Sequence, residues 1–130
     1  SEATVPKICV VVRKAYGAGL YAMSGPGFNP NVTLALPGSM IAVMGPEAAV
    51  NAVFFNKIQE KSEGPERQAY IAQLREEYRQ DVDIFKLASE LIVDEIVPGQ
   101  ALRAELSARL DLYVPAQALP TTRKRGVLPV

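Results

Sequence analysis

The period of apolar positions changes several times along the chain, and each change marks an element. Lys7 to Arg13, just after Pro6, is a β-branched run centred on Ile8-Cys9-Val10-Val11-Val12. Such a run, without polar alternation, predicts a strand buried on both faces. Lys14-Ala15-Tyr16-Gly17-Ala18-Gly19 then brings small residues, and Leu20-Tyr21-Ala22-Met23 brings helix formers. That order predicts a strand, a tight turn and a helix start. Ser24 to Asn31 reads as a loop rich in Gly, Pro and Asn. Val32 to Leu36 and Met40 to Met44 read as short strands broken by Pro37-Gly38-Ser39.

Gly45-Pro46-Glu47 opens a helix, since Pro suits the first helical position and Glu favours the positive end. This helix is expected to run to about Glu60, with Val50, Val53, Phe54 and Ile58 on one face. After a break at Ser62 to Pro65, a second helix is expected from Glu66 to about Gln80. Tyr70, Ile71, Leu74 and Tyr78 form its apolar side. Asp83 to Glu90 predicts a short helical turn, and Leu91 to Val97 a short strand. Pro98 opens a last helix carrying Leu102, Leu106, Leu110 and Tyr113, ended by Val114-Pro115. Ala116 to Val130 reads as an irregular tail.

Strands alternating with helices predict an α/β layered fold. At 130 residues the chain is long enough for one domain and too short for two ordinary ones. Its strands are few and short for the amount of helix, so the sheet is expected to be completed by chain lying elsewhere. The chain opens on Ser1 without an initiator Met, and is read as processed or cut.

Charge narrows the partners. Fourteen basic and fourteen acidic residues cancel, so no global field draws the chain to nucleic acid or to an anionic membrane. No apolar stretch is long enough to span a bilayer, and Ser1-Glu2-Ala3-Thr4 shows no signal-peptide pattern. The lone Cys9 reads as a buried strand residue and suits a reducing, cytoplasmic setting. The most restrictive count is that of histidine, which is zero. That excludes a Ser-His-Asp triad, a Cys-His dyad and a His-ligated metal within this chain. A single Cys excludes a thiolate cluster, so no metal is expected. Chemistry here must use carboxylates, Lys, Tyr, Ser or backbone N–H groups.

The candidate site is therefore the segment Arg13-Lys14-Ala15-Tyr16-Gly17-Ala18-Gly19, with the backbone turn at Gly17, Ala18 and Gly19 as its donors. Small residues let a ligand approach peptide N–H groups without Cβ obstruction. The first N–H groups of a helix have no internal partner, and fixed donors aimed at developing negative charge form an oxyanion hole. On residue types alone, the segment fits a packing turn as well as an oxyanion hole.

The segment Arg13-Lys14-Ala15-Tyr16-Gly17-Ala18-Gly19-Leu20-Tyr21-Ala22-Met23, preceded by Lys7-Ile8, resembles a family signature. The family is that of β-type carboxyltransferase subunits of biotin-dependent acyl-CoA carboxylases, of the propionyl-CoA or acetyl-CoA carboxylase kind. Leu34-Ala35-Leu36-Pro37 and Ile41 to Val50 resemble its next block, and Val93-Asp94-Glu95-Ile96-Val97-Pro98 a later strand. Lys124, Gly126 and Leu128-Pro129-Val130 resemble its ending. The blocks occur in family order and span the chain.

The resemblance implies a crotonase-like fold. Residues 1–130 would be the C-terminal part of the C-subdomain of the carboxyltransferase. It implies transfer of a carboxyl group from carboxybiotin, borne by a partner carrier protein, to the α-carbon of an acyl-CoA. The turn matching Gly17, Ala18 and Gly19 would hold the biotin ureido oxygen. Many members carry Gly-Gly-Ala there, and Ala18 supplies the same N–H. Leu20 and Tyr21 would line the acyl or biotin pocket, and both fit core packing equally well. Implied partners are the N-terminal half of the carboxyltransferase, the biotin carboxyl carrier or biotin carboxylase subunit, and further copies in a homo-oligomer. The same signature suits a biotin-dependent acyl-CoA decarboxylase subunit. A non-catalytic fragment that completes a partner's fold is the reading from a different class.

Other polar features read as structural. Glu47 is expected to serve a helix start. Asp94 and Glu95, adjacent in a strand, point to opposite faces and are expected to anchor surface or loop. Arg123-Lys124-Arg125 is read as a solvated tail or one docked on a neighbouring subunit.

Overall fold

The structure is a computed structural model that describes residues 5–116. The Arg123-Lys124-Arg125 cluster and the C-terminal block fall outside the described residues. The fold starts with β1 (Ile8–Val11), β2 (Lys14–Tyr16) and the short helix α1 (Ala18–Ala22). A single 3-10 turn at Pro26–Phe28 leads to β3 (Val32–Ala35) and β4 (Met40–Ala42). Then come α2 (Pro46–Val53), α3 (Phe55–Gln59), α4 (Pro65–Asp81), α5 (Ile84–Ser89), β5 (Glu95–Ile96) and α6 (Leu102–Ala116).

All strand pairing among the described residues is parallel. One sheet has the order β1-β3-β5, with Ile8 opposite Val32 and Leu34 opposite Glu95. A second pairs β2 with β4, Lys14 opposite Met40 through Tyr16 opposite Ala42. The two sheets are successive parts of the same two chain segments. Between them the Leu36 N–H donates to the Val11 carbonyl at 3.0 Å and the Met40 N–H to the Arg13 carbonyl at 2.6 Å.

The central strand β3 is buried along its whole length, as a parallel strand covered on both faces must be. On one face Ala35 packs with Cys9, Val11, Ile41, Ile84 and Val93, and Leu20 and Leu87 close over them. On the other, Val32, Leu34 and Val97 meet Ile8 and Val10 of β1 and Leu102, Leu106 and Tyr113 of α6. The expected two-sided burial of the first strand holds: Cys9 and Val11 face one cluster, Ile8 and Val10 the other. A satellite cluster of Val50, Ile58 and Leu74 joins α2, α3 and α4.

Four expectations need correction. Lys14 to Tyr16 is strand, because pairing with β4 satisfies its backbone. The helix expected from Pro46 to Glu60 is two helices that meet at Phe54, whose φ of −107° and ψ of 15° leave the helical range. This leaves Val50 and Ile58 buried while Val53 is 71% exposed. Only Glu95 and Ile96 of the expected strand at Leu91 to Val97 pair with β3. Leu91, at a φ of 59°, closes α5, with the Ile92 N–H reaching the Leu87 carbonyl and the Leu91 N–H the Ala88 carbonyl. That is a Schellman ending, with Leu where Gly is usual. Finally, α6 continues past Val114 to Ala116.

Asp94 and Glu95 take separate structural roles. The Asp94 carboxylate accepts the N–H of buried Thr33 at 2.7 Å, and its own N–H donates to the Thr33 carbonyl at 3.0 Å. Glu95 pairs with Arg109 of α6, which also pairs with Glu105. Glu47 lies in the first turn of α2 but makes no side-chain cap bond. Asp94→Ala strands a buried N–H and is expected to cost about 1–3 kcal/mol of stability. Glu95→Ala removes a partly exposed pair and is expected to cost less than about 1 kcal/mol. Urea denaturation curves of the two variants measure the difference.

Candidate functional site

Strand β2 delivers the chain to Gly17 at the sheet edge. The Gly17 N–H donates to the Ala42 carbonyl at 3.0 Å, one rung beyond the last paired residues of β2 and β4. Its φ of 53° and ψ of −133° turn the backbone sharply. A Cβ at Gly17 would stand 2.9 Å from the Val43 carbonyl oxygen, so both conformation and space demand glycine. The Gly17 carbonyl accepts the Leu20 N–H at 3.2 Å, which starts α1.

This geometry divides the expected donors. The Gly17 N–H is committed to the sheet and is not free for a ligand. The N–H groups of Ala18 and Gly19 have no acceptor among the described residues. Both residues are exposed, and a Cβ at Gly19 would meet nothing within 4 Å. The space where a side chain at Gly19 would stand is therefore open.

Beside the turn lies a cleft of about 560 Å³. Its lining includes Cys9, Arg13, Lys14, Tyr16, Gly19, Leu20 and Met23. Of the five residues singled out in the sequence, Gly19 and Leu20 line this cleft, while Gly17, Ala18 and Tyr21 do not. Leu20 also packs on the core, so it serves wall and packing together. Tyr21 turns instead to the following loop. Its ring meets Phe28 edge to face, with centroids 6.1 Å apart and planes at 76°.

Arg13, Lys14 and Tyr16, which belong to the candidate segment, and Met23 from the same contiguous block also line the cleft. Tyr16 is held from two sides: its hydroxyl donates to the Met40 sulfur at 3.0 Å, and its ring lies against Gly45. The Cys9 thiol is pushed above its ordinary pKa by burial, which keeps it an inert neutral wall at neutral pH. Among the described residues no group of three or more His, Cys, Asp or Glu could hold a metal ion. No described helix is long and apolar enough to cross a membrane.

Comparison with known proteins decides the family. The model of the carboxyl transferase domain matches residues 1–128. The chain belongs to the carboxyl transferase domain family. It is 58% identical over its full length to the uncharacterized carboxylase YngE of Bacillus subtilis (strain 168), covering 25% of that protein. It is 34% identical to the methylmalonyl-CoA carboxyltransferase 12S subunit of Propionibacterium freudenreichii subsp. shermanii, over 99% of this chain and 24% of that one.

Among solved structures, the hexameric transcarboxylase 12S with methylmalonyl-coenzyme A and methylmalonic acid bound is similar, with a TM-score of 0.79. That likeness carries 33% identity over 99% of this chain and 24% of the other. The geranyl-CoA carboxylase β subunit of P. aeruginosa matches with a TM-score of 0.72 at 30% identity, over 97% of this chain and 27% of that one. The fold of this carboxyl transferase chain is thus the crotonase-like α/β layering expected from its sequence. The chain spans about a quarter of the length of these relatives.

The turn makes a specific prediction. Gly17→Ala forces a Cβ into the left-handed region against a carbonyl oxygen and is expected to destabilise the fold by about 1–3 kcal/mol. Gly19→Ala, inside a helix and facing open space, is expected to stabilise it by about 0.5–1 kcal/mol. Thermal melts of the two variants should move in opposite directions.

Proposed function

We propose that this chain is the C-terminal part of the C-subdomain of a biotin-dependent acyl-CoA carboxyltransferase. Its role is to hold the biotin ureido oxygen with backbone N–H groups while a carboxyl group passes to the α-carbon of an acyl-CoA. The observation that carries this reading is the pair of acceptor-free amides at Ala18 and Gly19, beside a cleft, in a chain that matches the family over residues 1–128.

The residues fit the group. A ureido oxygen has two lone pairs, and two adjacent N–H groups without acceptors suit one oxygen. The open approach at Gly19 admits a bicyclic ring that a side chain would block. Carboxybiotin supplies the transferable carboxyl group when bound. This chain's residues orient the ureido oxygen, favour negative charge on it, and line its surroundings with Leu20, Met23 and Val10 so that water is displaced. Donors fixed by the sheet need no reorganisation as charge develops.

The direction of transfer is set by which carboxylated partner arrives. The methylmalonyl-CoA decarboxylase subunit α of Propionigenium modestum is 30% identical to this chain over its full length, and the same donors serve carboxyl transfer toward biotin. The thioester-binding half, the carrier and further subunits are the partners this reading requires.

Two outcomes test it. The isolated chain, assayed with propionyl-CoA and biotin or carboxybiotin, is expected to show no transfer, since differential transition-state binding needs the thioester site as well. In the complete enzyme, Ala18→Pro removes one N–H at a first helical position that tolerates Pro, and Gly19→Val fills the approach. Each is expected to lower the carboxyl-transfer rate about a hundredfold, roughly 3 kcal/mol of transition-state stabilisation, with acyl-CoA affinity little changed. Folded variants with full transfer rates would reduce the turn to a packing feature.

A further inference from the structure

Helix α1 has only five residues, and none of them is buried. A helix of that length does not hold itself together in water, so its position comes from its neighbours. Its start hangs on the Gly17 rung, and Leu20 packs on the core. Its end is closed by a Schellman motif with Ser24 in the left-handed position, at a φ of 60°. The Gly25 N–H donates to the Leu20 carbonyl at 2.9 Å and the Ser24 N–H to the Tyr21 carbonyl at 3.0 Å. The chain then folds back against α1. A Cβ at Gly27 would stand 2.8 Å from Cε1 of Tyr21, so glycine at 27 leaves room for the Tyr21 ring, with the Phe28 ring edge to face beside it. This loop is anchored to the sheet. The Lys7 Nζ donates to the Phe28 carbonyl at 2.8 Å. The Lys7 N–H donates to Asn31 Oδ1 at 2.9 Å, and the Asn31 N–H to the Lys7 carbonyl at 2.8 Å, one residue before the Ile8–Val32 pair.

We propose that Tyr21 is a positioning residue: its ring, seated on Gly27 and Phe28, locks the end of α1 to a loop that Lys7 and Asn31 fix to the sheet. This rests on the carboxyl-transfer reading above, since what α1 positions is the pair of amides at Ala18 and Gly19. Ala18 and Tyr21 lie within one helical turn, so a shift of the Tyr21 ring reaches those amides with little chain between to absorb it. Misplacing a catalytic group by about an ångström costs up to about a hundredfold in rate. An edge-to-face aromatic pair has a preferred geometry, which makes it a directional support. Tyr21 acts without lining the cleft. The turn is thereby held at two points, by backbone pairing at Gly17 and by an aromatic contact at Tyr21.

The test uses the complete enzyme containing this chain, with Tyr21→Ala, Tyr21→Phe and Gly27→Ala, the last disturbing the same contact from the loop side. Hydrogen exchange is followed at the Leu20 and Gly25 amides, which α1 and its end hold, and at the Leu36 amide, which the sheet holds. Tyr21→Ala and Gly27→Ala are expected to speed exchange at Leu20 and Gly25 about fivefold to tenfold, as weakening of one aromatic contact implies, and to leave Leu36 unchanged. The kcat of carboxyl transfer is expected to fall about tenfold, with the KM for acyl-CoA within about twofold. Tyr21→Phe keeps the ring and is expected to recover both exchange and rate. Unchanged exchange at Leu20 and Gly25 overturns the proposal, and so does faster exchange with a full transfer rate. Exchange that rises equally at Leu36 reduces Tyr21 to a contact for global stability and overturns it too. A Tyr21→Phe enzyme as slow as Tyr21→Ala gives the hydroxyl a direct part in the site, which also overturns it. The Gly19→Val enzyme separates the two readings. If it is slow while Tyr21→Ala is fast, only the positioning role fails; if both are fast although α1 is loosened, the carboxyl-transfer reading of the turn fails as well.

Discussion

The bond from the Gly17 amide to the Ala42 carbonyl is the contact on which the site depends. It extends the β2–β4 ladder by one rung and holds Gly17 at the point where φ turns positive. A strand continued in register would have offered its next amide to the neighbouring strand. The turn at Gly17 diverts the chain into α1, where the first amides have no earlier carbonyl to reach. Two donors are thereby freed by geometry, with no side chain involved. The Val43 carbonyl oxygen, 2.9 Å from where a Cβ would stand, shows how closely β4 approaches at that point.

That rung is in turn held by the buried sheet upstream. β1 and β3 pair in one register and then bend together into β2 and β4, so the placement of Val32 to Ala35 sets that of Met40 to Ala42. A one-residue slip would exchange the two faces of β3. It would bring the set of Val32 and Leu34 to the cluster now occupied by Ala35, Cys9 and Val11. Both faces are covered by helices and side chains, so such a slip has no soft direction. The bond between Asp94 and Thr33 adds a polar anchor on the far side of the same strand. Positional precision at the cleft is therefore inherited from close packing some distance from it.

Much of this was legible in the residues, for reasons that differ by element. The apolar run at Ile8 to Val12 and the turn chemistry at Gly17 are local signals, and both appear where expected. The site was legible as a turn because glycine's freedom is a local property. Which of its amides is free was not, since the Gly17 donor is claimed by Ala42, twenty-five residues along the chain. For the same reason Lys14 to Tyr16 looked like part of a turn: their strand character exists only through β4. The division of the long helix at Phe54 likewise follows from docking Val50 and Ile58 against Leu74, a tertiary demand that helical periodicity does not encode.

A chain without histidine has few ways to stabilise charge, and backbone donors are one of them. Backbone donors keep the same protonation state over any working pH, and their direction is set by the sheet. They suit an oxygen whose charge appears only during reaction. Ala18 and Gly19 are held through the Gly17 rung and α1, and donors held in that way favour an oxygen at one position over any other.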